Sequence, residues 1–294
     1  MLLIFCWLAS CNKTPAPVKN PITPLQFLIN TDTSFSIFHR MILQANEAGL
    51  VSNDSVTFLI PTNAAFRSAG YNEGSIDTLP SSTADRLIRY HYISSRVVPG
   101  GNTYTGYPTL LGYPIYGMTD GAHQIWFNGT PVTGDTANVG NVLVYRLSAP
   151  LQPPADSLNI LFAQDSTLSF LAEVFLRTNL DSVLFSGNYT LLAPVNSAFI
   201  AAGYDSLGAI DAADSATLVQ LVKYHTLTGD YFTNILMGVS TVPTLQGSPV
   251  TVSSQNGILQ FSGANNPVPA NWLSGNQLAG STLIVHRIDR VLSP

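Results

Sequence analysis

A chain of 294 residues, 46% of them hydrophobic, is long enough to bury a sizeable core and suits about two domains. Only 10% of its residues are charged, against roughly 25% in an ordinary soluble domain, so serine, threonine, asparagine and glycine cover much of the surface, as in an extracellular setting. The net charge is −5 and the basic residues are scattered singly, which excludes a nucleic-acid-binding stripe.

The chain opens with "MLLIFCWLASC", an apolar run too short to span a bilayer as a mature helix. Small residues before a cysteine resemble the bacterial lipobox, which implies that residues 1–10 are a lipoprotein signal peptide. The same resemblance implies cleavage before Cys11, a diacylglycerol thioether on its sulfur and usually a third acyl chain on the new terminus. Two or more chains anchor stably where one alone is marginal. Residues 11–23, rich in proline and polar side chains, read as an extended tether. Both cysteines, Cys6 and Cys11, lie in this leader, so the domains beyond it have no disulfide, thiol nucleophile or thiolate metal site.

The rest of the chain is written twice. "TFLIPTNAAFRSAGY" (Thr57 to Tyr71) returns as "TLLAPVNSAFIAAGY" (Thr190 to Tyr204), 133 positions on, and Leu25, Leu28, Asp32, Ser36 and Asn46 have ungapped counterparts in Leu158, Leu161, Asp165, Ser169 and Asn179. Further along the offset widens to 134, 135 and finally 141, each step marking a loop insertion. A period this long means two complete domains, residues 24–153 and 154–294, and not the short units of a solenoid.

Each copy begins with a helix. Thr33 or Ser34 is placed to cap one whose apolar residues Phe35, Phe38, Met41, Ile42 and Ala45 recur at helical spacing, with Gly49 near its end. "VTFLIP" is short and β-rich, a buried strand stopped by Pro61. Asn63 then supplies an N-cap, Ala64 to Ser68 form a short helix, and Gly70 takes the left-handed position at its end. A second helix, capped by Ser81 or Ser82 and in the other copy by Asp214 or Ser215, ends in a Tyr-His pair. Short β-like runs follow: "PIYGM", "QIWFNG" and "VLVYRL", then "PVTVSS", "ILQFSG" and "TLIVHRI". Helices first and strands afterwards argue for an α+β domain with helices packed on a mostly antiparallel sheet assembly.

The Thr-hydrophobic-hydrophobic-x-Pro-x-Asn-x-Ala-Phe string, the Tyr-His at a helix end and the closing hydrophobic-x-His-x-Ile-Asp-x-x-Leu pattern together resemble the fasciclin-like domain, here in tandem. The resemblance implies two wedges of β-sheet with packed helices, on secreted, membrane-anchored or surface proteins that serve adhesion and matrix or ligand binding, usually without enzymatic activity. At the end of the first copy Tyr145 and Ser148 stand where the second keeps His286 and Asp289. In animal members the Tyr-His motif is linked to integrin binding, which by resemblance would touch Tyr90, His91, Tyr224 and His225. Beside Leu87, Ile88, Leu221 and Val222 these pairs read instead as fasteners of helix to sheet.

The sequence offers little for catalysis. None of the five histidines falls in HxH or HExxH spacing, no GxSxG, Walker or Rossmann string occurs, and no metal site or cofactor is expected. Aromatic residues are the better lead: Tyr104 and Tyr107 in "YTGYPTLLGYPIYG", and Trp272 in "NNPVPANWLSGN", which reads as a loop, are the expected ligand contacts. The expected function is a non-enzymatic, lipid-anchored adhesion or ligand-binding protein of the cell envelope, outer membrane or cell surface, whose partner is a surface or matrix polysaccharide or protein. The alternative is an accessory glycan-capturing or structural subunit of an outer-membrane uptake complex.

Overall fold

Phe35 on a short helical turn, and Ile37, Phe38, Met41 and Ile42 on the helix that follows it, are buried and close the first core. In the computed structural model, which describes residues 24–47 and 55–294, α1 (Pro24–Thr31) leads through a single 3-10 turn, Thr33–Phe35, into α2 (Ser36–Gln44). The expected signal peptide, Cys11, the expected tether and Gly49 lie outside the described residues. Asp32, not Thr33 or Ser34, caps this entry: its carboxylate accepts from the Ser34 N–H at 2.9 Å and the Ser34 hydroxyl at 2.6 Å. A carboxylate outcompetes a hydroxyl as the acceptor of an orphan N–H.

Strand β1 (Thr57–Pro61) follows, then α3 (Asn63–Ser68), α4 (Glu73–Asp77) and α5 (Ser81–Tyr90). After β2 (Tyr92–Ile93) come β3 (Thr105–Pro108), β4 (Pro114–Thr119), β5 (Ile125–Phe127), β6 (Thr130–Pro131), β7 (Ala137–Val139) and β8 (Val142–Leu147). They form two sheets, β2-β1-β8-β7 and β3-β4-β5-β6. The first is buried on both faces: Phe58, Ile60, Val142 and Val144 point into the helical core, while Leu59, Leu143, Tyr145 and Leu147 point into a second core beneath the other sheet. Such a strand is a continuous apolar run and not an alternating one. Each fully buried side chain in it contributes about 1.5–3 kcal/mol.

The second domain repeats the plan with α6 (Leu158–Gln164), α7 (Ser169–Thr178), α8 (Asp181–Leu184), β9 (Tyr189–Pro194), α9 (Asn196–Ala201), α10 (Leu207–Asp211), α11 (Ser215–Tyr224), β10 (Thr226–Thr228) and α12 (Thr233–Leu236). Strands β11 (Thr241–Val242), β12 (Val250–Gln255), β13 (Ile258–Ser262), β14 (Ala270–Ala279) and β15 (Leu283–Ile288) complete it. In both domains the last strand pairs in parallel with the first, β8 with β1 and β15 with β9. The other pairings are antiparallel.

The halves differ at β14. Its ten residues run from β15 across to β13 and join seven strands into one sheet, ordered β10-β9-β15-β14-β13-β12-β11. Two register shifts, between Trp272 and Ser274 and between Ser274 and Gln277, take up the turn from one sheet face to the next, with Asn276 at φ 58°. The Asn-Gly content that reads as a loop belongs to these irregularities. Trp272 is therefore a half-buried strand residue opposite Ile288, and not the tip of a loop.

Asn63 is the other reassignment. The cap of α3 is Thr62, whose hydroxyl accepts from Ala65 N at 3.2 Å, while Asn63 is already helical. Its amide reaches α2 instead, accepting from Ile37 N at 3.0 Å and donating to Thr33 O at 2.8 Å and Ser36 Oγ at 2.9 Å. Asn196 does the same for Phe170, Ser166 and Ser169. The asparagine of the repeated string ties two helix starts together, satisfying N–H groups of one from the side chain of the other. In the second helix of each copy Asp214 caps α11, whereas α5 starts behind Pro80 with no side-chain cap.

Candidate functional site

The Tyr-His pair stands where α5 and α11 run out. His91 Nδ1 lies 2.8 Å from Leu87 O, one turn back, and its Nε2 accepts from Leu151 N at 3.0 Å. His225 repeats this with Leu221 O at 2.8 Å and Leu292 N at 2.8 Å. One nitrogen donates and the other accepts, which is the neutral imidazole. Burial pushes both pKa values down to about 4. Tyr90 donates its hydroxyl to Pro114 O at 3.2 Å and accepts from Asn128 Nδ2 at 2.8 Å, and Tyr224 donates to Pro249 O at 3.3 Å. All four side chains are buried, and all four direct their polar atoms inward.

A third buried histidine, His286, sits on β15. Its Nε2 is 2.7 Å from Tyr231 O, and Nδ1 accepts from Trp272 Nε1 at 3.2 Å and Asn276 N at 3.4 Å. In the first domain Tyr145 takes the place and donates its hydroxyl to Val97 O at 3.0 Å. Val97 and Tyr231 are themselves equivalent, so a phenol and an imidazole serve the same backbone carbonyl. Sequence reading marks the substitution but gives no sign of this shared partner.

The aromatic segment divides. The Tyr107 ring remains in its own domain over Gly117, where a Cβ would fall 3.0 Å from it. Tyr104 crosses to the other domain: its ring centroid is 4.6 Å from that of fully buried Phe232, and its hydroxyl donates to Asn234 Oδ1 at 2.6 Å and accepts from Gly129 N at 3.1 Å. Burial raises the Tyr104 phenol pKa. Tyr116 lies 6.1 Å from the same Phe232 ring and donates to Ser281 O at 2.8 Å. Gly129 backs directly onto the Asn276 side chain, 2.7 Å from where a Cβ would sit.

Next to this aromatic plug, the connecting segment is also fastened. Ala155 N donates to Leu278 O at 3.1 Å and Gly280 N to Ala155 O at 2.7 Å, which adds the linker to the end of β14. Arg86 donates to Pro154 O at 2.8 Å and to Asp156 at 3.3 Å, and Tyr113 donates to Asp156 at 2.8 Å. Among the described residues no group of three or more histidine, cysteine, aspartate or glutamate side chains could hold a metal ion. No helix of theirs is long and apolar enough to cross a membrane.

Two domains of one general plan, with the same parallel pairing of first and last strands, the same buried Tyr-His fastening and the same asparagine tie, coincide with the family comparison. The fasciclin domain model matches residues 33–153 and again residues 166–294. The chain belongs to the fasciclin family. Among curated fasciclin relatives, the immunogenic protein MPB70 of Mycobacterium bovis is 33% identical over 118 residues, 40% of this chain and 56% of that protein. The transforming growth factor-beta-induced protein ig-h3 of Sus scrofa is 23% identical over 248 residues, 82% of this chain and 35% of that protein. The matches thus span about half, or less, of the length of these relatives. A solved FAS1 domain pair from the insect cell adhesion molecule fasciclin I aligns over 89% of this chain and 97% of its own, with 17% identity and a TM-score of 0.43. Within this fasciclin pair, Tyr104 sits in the domain junction, Tyr107 in the first domain and Trp272 against His286.

Proposed function

We propose that this tandem fasciclin protein is a non-enzymatic adhesion or ligand-binding protein of the cell envelope, held to a membrane by lipid on Cys11, which recognises a surface or matrix polysaccharide or protein. The observation that carries the reading is that two complete fasciclin domains are joined by a packed interface, presenting two sets of loops in a fixed relation. Fixed spacing lets two weak contacts act together, because the second is made at high effective concentration. Further support comes from the buried histidines, whose ring nitrogens are all engaged by neighbouring groups, leaving them unsuited to general acid–base work.

The test has two arms. Beads coated with the chain are passed over immobilised envelope polysaccharides and matrix proteins, and retention on at least one surface above bare beads is the expected result. In producing cells, Cys11→Ser should move the protein from the membrane fraction to the soluble one and abolish labelling by radioactive palmitate. Release of new reducing ends from an offered polysaccharide would contradict the non-enzymatic reading, and palmitate labelling that persists in the variant would remove the anchor.

A further inference from the structure

The junction leaves one feature that neither the packing nor the Tyr-His motif uses. Beside the linker a cleft of about 300 Å³ opens between the domains, lined by Tyr71 and Arg86 of the first, Gln152 and Pro153 of the linker, and Gln164 and Gln277 of the second. That volume is at the small end of the range that holds a small ligand.

We propose that this interdomain cleft binds a neutral oligosaccharide. The proposal rests on the adhesive reading above and names its ligand class and place. A sugar offers hydroxyls that both donate and accept, plus an apolar C–H face, so its site needs side chains carrying both functions beside a flat apolar surface. Primary amides supply both. Among the described residues the side chains of Gln152 and Gln164 make no hydrogen bond and are exposed, so their amides are available to a ligand. Gln277 gives its Oε1 to Arg287 Nη2 at 3.2 Å and keeps its amide N–H groups. The ring of Tyr71, held against Phe66 at a centroid distance of 5.9 Å, and the ring of Pro153 provide flat apolar surface.

Charge selects within the sugars. Arg86 is already neutralised by Asp156 at 3.3 Å, and a uronate carboxylate brought to Arg86 would meet the Asp156 carboxylate as well. The chain as a whole carries −5, which further disfavours a polyanion. A peptide is disfavoured too. Extended peptides commonly bind by adding to a sheet edge, and the edge of β14 just beyond Gln277 is already taken by Ala155 of the linker, which exchanges backbone hydrogen bonds with Leu278 and Gly280.

The experiment is isothermal titration of the full chain with cellohexaose, xylohexaose, mannohexaose, laminarihexaose and, for charge, hexagalacturonate. At least one neutral hexasaccharide should bind, and Gln152→Ala/Gln164→Ala should weaken it at least fivefold while leaving the melting temperature unchanged, since both side chains are exposed and unbonded. Absence of heat with every neutral sugar, binding undiminished in the double variant, or preference for hexagalacturonate would overturn the assignment. If coated beads still adhere while the sugars are ignored, the cleft assignment fails alone. If the sugars bind but no surface retains the beads, the adhesive reading fails alone.

Discussion

The three buried histidines make acid the natural probe of this fold. Each is held at a pKa of about 4 by burial, against 6.5 for an ordinary imidazole, and returns to the ordinary value on unfolding. Between these values the unfolded chain binds more protons, so the stability the histidines confer is complete above about pH 6.5 and is lost as the pH falls toward 4. The gap is worth about 3 kcal/mol per histidine. Urea unfolding at pH 7 and pH 4.5 should therefore show a large acid loss. His286→Tyr, which installs the first domain's own solution and can keep the bond to Tyr231 O, should reduce the pH dependence by about a third. An unaltered slope in that variant would mean that His286 is protonated at little cost in the fold.

At the scale of elements, the duplication provides an internal control on helix capping. Thr62 caps α3 through its hydroxyl, whereas Val195 occupies the same place before α9 with no side-chain bond. Val195→Thr is nearly isosteric and should stabilise the protein by about 0.5–1 kcal/mol, and Thr62→Val should cost a similar amount, both read from chemical denaturation midpoints. Opposite signs are the essential result. The elements around the repeated string were legible in the sequence: "VTFLIP" reads as a strand because it is a short apolar run ended by proline, and it is β1. The short helix after it and its left-handed Gly70, at φ 87°, were equally plain. Capping was less so, because Asp32, Ser34 and Thr33 are all competent acceptors in sequence and only geometry selects the carboxylate. Helix α1 escaped because eight residues behind a proline-rich stretch carry too short a periodic signal, and β14 escaped because its irregularities use the residues of a turn.

For the whole molecule, the junction decides whether two domains behave as one. Tyr104 packs over Phe232, so Tyr104→Ala removes a partly buried ring and leaves Phe232 covered only on the Tyr116 side, at a cost of about 2 kcal/mol. Scanning calorimetry should show one joint unfolding transition in the parent chain and two separated transitions in the variant. A single transition at the parental temperature would show that the linker and the Tyr116 contacts suffice to couple the domains without Tyr104. None of this was legible in the aromatic segment itself. Tyr104 meets Asn234 from 130 residues away, and a tyrosine awaiting a partner domain looks, in sequence, like one awaiting a ligand. The candidate cleft was equally hidden, since its glutamines belong to three separate segments.

The parallel pairing of first and last strands carries a mechanical corollary. The chain enters β1 at one end and leaves β8 at the opposite end, and likewise for β9 and β15. Traction between those ends slides the paired strands lengthwise past one another, so that the five register positions of each pair resist together and do not peel one by one. A wedge built this way bears tension along the line joining the start of its first strand to the end of its last.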